Sequence, residues 1–197
     1  KIVIPVIVIS SFIVIVLIFS VIFALLNITN EKILENVTIF GIDVGKLTID
    51  EANKKIEEIT KTKLEEDLIL KKDDYETSLN ATQISAGFDI ENAVSKAYNI
   101  GRNGNIITNN YSILYTILFG NNIECNFNYN EDSLNKKVED ISSKLPGAVV
   151  QNSYYIEDEN LIIVKGKKGT SIKKNELKNI IIEKIKDIGN KYDIITI

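Results

Sequence analysis

The chain has 197 residues and a formal net charge of -4; Lys1 is the only charged residue before Glu31, so everything after it carries -5 (-4 minus +1). That balance disfavours nucleic acid as a partner, because its binders present a basic face. One Cys and no His rule out an intrachain disulfide, a usual zinc site with several Cys or His ligands, and Ser-His-Asp or Cys-His catalysis within these residues, so no metal and no cofactor is expected.

Residues Ile2 to Leu26 form one apolar run, with Ser10, Ser11 and Ser20 its only polar members. A bilayer core is crossed by about 20 apolar residues in a helix, and backbone groups in lipid must bond internally. The run is therefore expected to be an uncleaved transmembrane helix, with Pro5 tolerated in its first turn. A signal peptide has a shorter apolar stretch, about 7–15 residues, that ends at small residues before the cut. Ser20-Val21-Ile22 and Ile22-Phe23-Ala24 are poor cleavage sites. A buried core helix would carry a polar face, and none is visible. Lys1 precedes the run, while Lys32 is offset by Glu31 and Glu35. The positive-inside rule then predicts an inside N-terminus and a single-pass protein of the cell membrane, with its body on the extracytoplasmic side. A start at Lys rather than Met leads us to expect further residues upstream.

After a polar connector, Glu31 to Asn36, Val37 to Phe40 read as a strand, and Gly41 and Gly45 punctuate the next stretch. Thr48-Ile49-Asp50-Glu51 is a capping-box pattern, which predicts a helix from Ile49 to about Lys61. Asp67–Lys72 and Tyr75–Asn80 flank Asp73-Asp74 as a hairpin. Asp89 is placed to cap a helix with Ile90, Ala93, Val94, Ala97 and Tyr98 on one face, ended by Gly101. Tyr111 to Phe119 predict a short helix stopped at Gly120, and Ile123 to Tyr129 alternate as a strand. In that strand Cys125 reads as a small half-buried residue rather than a reactive thiol. Asn130 opens a helix striped by Leu134, Val138, Ile141 and Leu145, broken at Pro146-Gly147. Strands follow at Ala148–Val150, Ser153–Glu157 and Leu161–Lys165, then a turn at Gly166-Lys167-Lys168-Gly169. A last helix carries Leu177, Ile180, Ile181, Lys184, Ile185 and Ile188 on one face and is closed by Gly189, and Asp193 to Ile197 read as a strand.

The order strand–helix–hairpin–helix runs from Thr38 to Ile100 and again from Ile123 to Ile188. The predicted class is α+β: an N-terminal transmembrane helix followed by a mixed α/β module built from two similar strand-helix-hairpin-helix units. The expected boundaries are 1–27 for the anchor, 28–36 for the connector, 37–128 for the first α+β unit and 129–197 for the second, which is expected to continue beyond Ile197.

Val37-Thr38-Ile39-Phe40-Gly41-Ile42-Asp43-Val44-Gly45-Lys46-Leu47-Thr48-Ile49-Asp50-Glu51-Ala52 resembles a recurrent opening in Gram-positive cell-wall proteins. There a strand leads into Gly-Val-Asp/Asn-Val-x-Gly-x-Thr-x-Glu-Glu-Ala. This chain shifts one glycine and has Asp50 for the first Glu. Ala97 to Asn105 resembles an Ala-x-x-x-Gly-Arg-x-Gly segment; Leu118-Phe119-Gly120, Tyr129 to Leu134, Pro146-Gly147-Ala148 and Gly166 to Gly169 follow in the same order. Together they resemble the YoaR-like peptidoglycan-binding domains, across most of residues 37–188. Such domains follow a membrane helix and precede an L,D-transpeptidase or VanW-type domain. The resemblance implies an extracellular module that is not itself an enzyme. It would bind peptidoglycan or another anionic wall polymer and position a partner domain there. The transpeptidase motif of His, Ser and Cys-Gly is absent, and Cys125 is in the wrong context. The alternative is the N-terminal part of an L,D-transpeptidase, which cross-links the cell wall, with its catalytic domain beyond residue 197.

Arg102 is the only Arg, and its planar fork matches carboxylates in a way that Lys cannot. With Asn103 and Asn105 it is a candidate receptor for a stem-peptide carboxylate. The competing reading pairs it with an Asp or Glu of its own fold. Lys165, Lys167 and Lys168 around two glycines could face an anionic polymer, although this is not a P-loop spacing and reads equally as a solvated turn. Tyr154 is a candidate sugar-stacking face beside Tyr155, only one of which can point inward. Tyr111 and Tyr115, four apart, fit helical packing. Asp73-Asp74 and Asp158-Glu159 read as hairpin tips.

Overall fold

The computed structural model describes residues 3–145, 147, 152–166, 169, 172–190, 192 and 194–197. In chain order its elements are α1 Val3–Ile28, β1 Val37–Ile39, β2 Ile42–Asp43, α2 Ile49–Glu65, β3 Leu68–Lys72, β4 Tyr75–Leu79, a 3-10 turn Ala81–Ile84, β5 Gly87–Phe88, α3 Ile90–Tyr98, α4 Ile106–Phe119, β6 Asn121–Ile123, β7 Phe127–Asn128, α5 Glu131–Lys144, β8 Ser153–Glu157, β9 Asn160–Val164, α6 Lys174–Lys186 and β10 Ile195–Thr196. This is a mixed α+β fold with one apolar N-terminal helix. That helix is long and apolar enough to cross a membrane. The predicted strand Ala148–Val150 and the Lys167-Lys168 pair of the predicted turn lie outside the described residues.

Packing divides the chain into two compact units that interleave along it: Lys1–Ile59 with Asp89–Asn126, and Thr60–Phe88 with Phe127–Ile197. A division by packing therefore differs from one made along the chain. In the first unit β1 lies between β2, antiparallel, and β6, parallel. Val37 and Ile39 point inward and Thr38 does not, as strand alternation requires. They meet Val44, Ala52, Ile56, Ala93, Val94 and Ala97. Three alanines at these positions let α2 and α3 approach the short sheet closely. The capping box forms: Thr48 N–H donates to Glu51 Oε2 at 2.9 Å and Glu51 N–H to Thr48 Oγ1 at 3.3 Å. The Thr48 N–H and, at 3.1 Å, the Thr48 hydroxyl both donate to Glu51 Oε2 and hold the Glu51 carboxyl below its ordinary pKa.

Most of α1 is exposed, but Ala24 and Asn27 are buried, because the end of α1 packs against α4. Asn110 Nδ2 donates to Ser20 O at 2.9 Å and also to Ser20 Oγ. Asn27 Nδ2 donates to Gly101 O at 3.3 Å.

The second unit has a three-stranded sheet, β10-β3-β4, and two two-stranded pairs, β5-β7 and β8-β9. Leu68 and Leu70 of β3 and Leu79 of β4 face Leu134, Val138 and Ile141 of α5 and Leu177, Ile181 and Ile185 of α6. Both helices lie where their apolar spacing predicts them, but α6 ends at Lys186, before Ile188 and the expected stop at Gly189. Asn130 caps α5, accepting from Ser133 N–H at 2.8 Å. Lys63 is buried, with its ammonium 3.3 Å from the Tyr192 ring centroid and 3.2 Å from Glu66. The β8–β9 hairpin leaves Tyr154 and Tyr155 both exposed, so neither packs inward.

Two elements differ most from the sequence-based expectation, while α2 runs a further turn, to Glu65. Helix α4 begins at Ile106, five residues before the predicted start at Tyr111. Its first turn carries β-branched residues and Asn, poor helix formers. Asn105, which accepts from Thr108 N–H at 3.0 Å, and the docking of Asn110 on α1 hold that turn. The single strand expected over Ile123–Tyr129 is instead two short ones, β6 and β7. They pair with β1 and β5 respectively.

Candidate functional site: a polar groove between α3 and α4

Helix α3 is two-faced. Ala93, Val94 and Ala97 are buried, and the spacing i, i+3, i+4, i+7 puts Asn92, Ser95, Lys96 and Asn99 together on another side. Helix α4 repeats that spacing with Thr108, Tyr111, Ser112 and Tyr115. These two stripes line an open groove of about 670 Å³. The loop joining the helices closes one end through Gly101, Asn103 and Gly104.

That loop is pinned from several sides. Gly101 takes a left-handed φ of 72°, and a Cβ there would run into Ile113 and come within 3.0 Å of Asn27 Nδ2. Asn109 grips Gly104 at both ends: its Oδ1 accepts from Gly104 N–H at 2.8 Å and its Nδ2 donates to Gly104 O at 2.9 Å.

Lys96 is the only charged residue lining the groove among those described. The Tyr111 and Tyr115 rings lie 6.0 Å apart and nearly parallel. Thr116 also lines the groove; its Oγ1 is buried and has no hydrogen-bond partner among the described residues, a costly arrangement for a hydroxyl. The surface thus combines amides, hydroxyls, two phenol rings and one cation. It suits a ligand rich in hydroxyl and amide groups that carries a carboxylate.

Of the residues singled out from sequence, Asn103 lines this groove. Asn105 caps α4. Arg102 is committed to its own unit, through backbone carbonyls rather than an Asp or Glu. Nη2 donates to Asn30 O and Lys32 O, each at 2.8 Å, and Nη1 donates to Tyr98 O. The guanidinium stacks 4.0 Å from the Tyr98 ring centroid. Burial pulls its pKa down from the ordinary arginine value. Tyr154 on β8 and Lys165 just after β9 are exposed and belong to the second unit, whereas the groove is built wholly in the first. Lys167 and Lys168 lie outside the described residues. Among the described residues, no group of His, Cys, Asp and Glu is arranged to hold a metal ion. Cys125 is partly buried, and burial, then the Asp89 charge, pushes its thiol up to about 11.

Sequence reasoning overlooked Lys96, Asn99 and Ser112. The available signal was the polar stripe on α3 opposite its apolar one, which reads by default as a solvated face.

A groove of this kind is suited to a polar ligand. Residues 77–193, more than half of the chain, match the family described as "Putative peptidoglycan binding domain", and the chain belongs to that family. Every lining residue of the groove falls inside the matched stretch. No curated protein and no solved structure matches the chain.

Proposed function

We propose that this protein is a membrane-anchored, extracytoplasmic module that binds peptidoglycan in the α3–α4 groove and positions a partner domain at the wall. The observation that carries this reading is the groove's lining of amides, hydroxyls and tyrosine rings within the family-matched residues. Glycan hydroxyls and acetamido groups pair with Asn99, Asn103 and Ser112, sugar faces stack on Tyr111 or Tyr115, and Lys96 meets a stem-peptide carboxylate. Arg102 acts behind the groove as a positioning residue. Helix α1 is the anchor. The module is non-catalytic in itself, in a YoaR-like arrangement in which the body consists of two related α+β units and a VanW-type or L,D-transpeptidase domain lies downstream.

Co-sedimentation of the full chain in mild detergent with purified sacculi tests this. Retention above that of a control protein is expected, with a clear loss on Asn103→Ala combined with Ser112→Ala. No retention of the unmodified chain refutes wall binding. Retention that is indifferent to the double variant refutes the groove.

A further inference from the structure

Helix α4 carries no charged residue over Ile106–Phe119. At 100° per residue, Ile107, Leu114 and Leu118 fall within about 40° of one another, with Tyr111 beside them. Ile107, Tyr111 and Leu118 are 68–80 % exposed and Leu114 about half exposed, a costly apolar stripe to leave in water. The stripe is flanked on one side by the groove-lining residues. On the other, about 60° away, is Asn110, whose side chain holds Ser20 of α1.

The position of that contact along α1 sets the depth. The apolar run ends at Leu26, and Asn27 is the first polar residue beyond it. Ser20 lies seven residues earlier, about 10 Å back along the helix. Helix α4 is therefore docked over the last stretch of the anchor, at the depth where interfacial helices lie, about 5–10 Å into the headgroup and acyl boundary. The side chains of α1 around this contact and the α4 stripe are both apolar and exposed, and Tyr111 is of a type that favours this layer.

We infer that α4 is an interfacial helix that lies in the outer face of the same bilayer, with Ile107, Leu114 and Leu118 embedded in lipid and the groove opening at the membrane surface. The inference rests on α1 being a membrane anchor. Because α4 has no charge, embedding draws on apolar burial alone, so it is insensitive to anionic lipid and to salt.

The chain has no Trp, so a single tryptophan reports its own surroundings. Full-length chains carrying Leu118→Trp, Ile107→Trp or Phe12→Trp are reconstituted in phosphatidylcholine vesicles with acyl chains brominated at shallow or deep positions. All three positions are exposed. Leu118→Trp and Ile107→Trp are expected to show blue-shifted emission that is quenched most by shallow bromines. Phe12→Trp is expected to be quenched most by deep ones. The α4 pattern should be unchanged with added phosphatidylglycerol or in high salt. Quenching of Phe12→Trp with neither α4 reporter quenched overturns the interfacial helix and leaves the anchor standing. No quenching at Phe12→Trp overturns the anchor and the inference with it. Blue-shifted α4 emission that ignores bromine and grows with protein density assigns the stripe to a second copy of the chain, which also overturns the inference.

Discussion

Arg102 separates a structural guanidinium from a ligand-binding one. In the native state it makes three charge-assisted hydrogen bonds to backbone carbonyls and one ring stack. A buried bond to a charged group contributes about 1.5–3 kcal/mol. This side chain is only partly buried, and water partly replaces what is lost, so about 1 kcal/mol for each of the two Nη2 bonds is the appropriate scale. The stack on Tyr98 adds about 0.5–1 kcal/mol. Arg102→Ala should therefore cost about 2–3 kcal/mol, and Arg102→Lys, which keeps a cation without the fork, about 1–2 kcal/mol. For a chain of this size each kcal/mol lowers Tm by about 2–4 °C. Thermal unfolding of the full chain in detergent, followed by far-UV circular dichroism, should give Tm in the order native, Lys, Ala. Sacculus retention should fall in the same order, since Gly101 and Asn103 flank this residue. An Arg102→Ala variant with native Tm and abolished retention would refute the reasoning and make the guanidinium a ligand contact.

Gly101→Ala should destabilise by about 2–4 kcal/mol, from left-handed backbone strain plus the collision with Ile113. Gly41→Ala, at a similar φ of 74° but in open space, should cost only the strain, about 1–2 kcal/mol; equal losses in a denaturation series would contradict the packing described around Gly101. With its thiol held at about 11 instead of the ordinary 9, Cys125 should react with iodoacetamide at pH 8 at least about tenfold more slowly in the native chain than in the unfolded one, since the lost thiolate fraction outweighs the higher nucleophilicity of the thiolate. A native rate within about threefold of the unfolded rate would rule out the buried setting. Ile181→Ala empties a fully buried position between α6 and its sheet and should cost about 2–5 kcal/mol in the same series. Burial, then the Glu66 charge, pushes the Tyr192 phenol from its ordinary 10 up to about 12. Between those values the unfolded chain has released a proton that the folded one still holds. Stability is therefore undiminished below pH 10 and falls as pH rises toward 12; a Tyr192→Phe variant should lose less over that interval.

The helices with a clean apolar stripe were legible because burial of one face imposes a period that survives in the residues: Leu134, Val138 and Ile141 on α5, or Ala93, Val94 and Ala97 on α3. The β3–β4 hairpin was equally plain, since Asp73 takes a left-handed φ of 51° that Asp tolerates. Where local preference and tertiary contact disagree, the residues mislead. The first turn of α4 looks unlike a helix because its Asn side chains serve another element, with Asn109 holding the loop and Asn110 holding α1. The alternation over Ile123–Tyr129 conceals a change of partner, as β6 and β7 belong to different sheets.

The groove was harder to see for a related reason. Arg102 drew attention because it is chemically conspicuous, yet the carbonyls of Asn30, Lys32 and Tyr98 occupy the very fork that would grip a carboxylate. Asn99, Ser112 and Tyr115 each look ordinary, and their spacing is that of any solvated helix face. What distinguishes them is that two such faces are held opposite each other. Asn27 and Ile113 fix Gly101, and Asn109 fixes Gly104. A surface built mainly of amides and hydroxyls carries no metal-ligating signature and a single cation, Lys96, so its signal lies in the contacts that set one helix against the next. Ala substitution at Asn109 should accordingly weaken sacculus retention although its side chain bonds only to Gly104. Asn109→Asp should not recover it, because a carboxylate oxygen would replace the Nδ2 donor opposite Gly104 O at a buried position. Full retention by Asn109→Ala would show that the loop needs no such clamp.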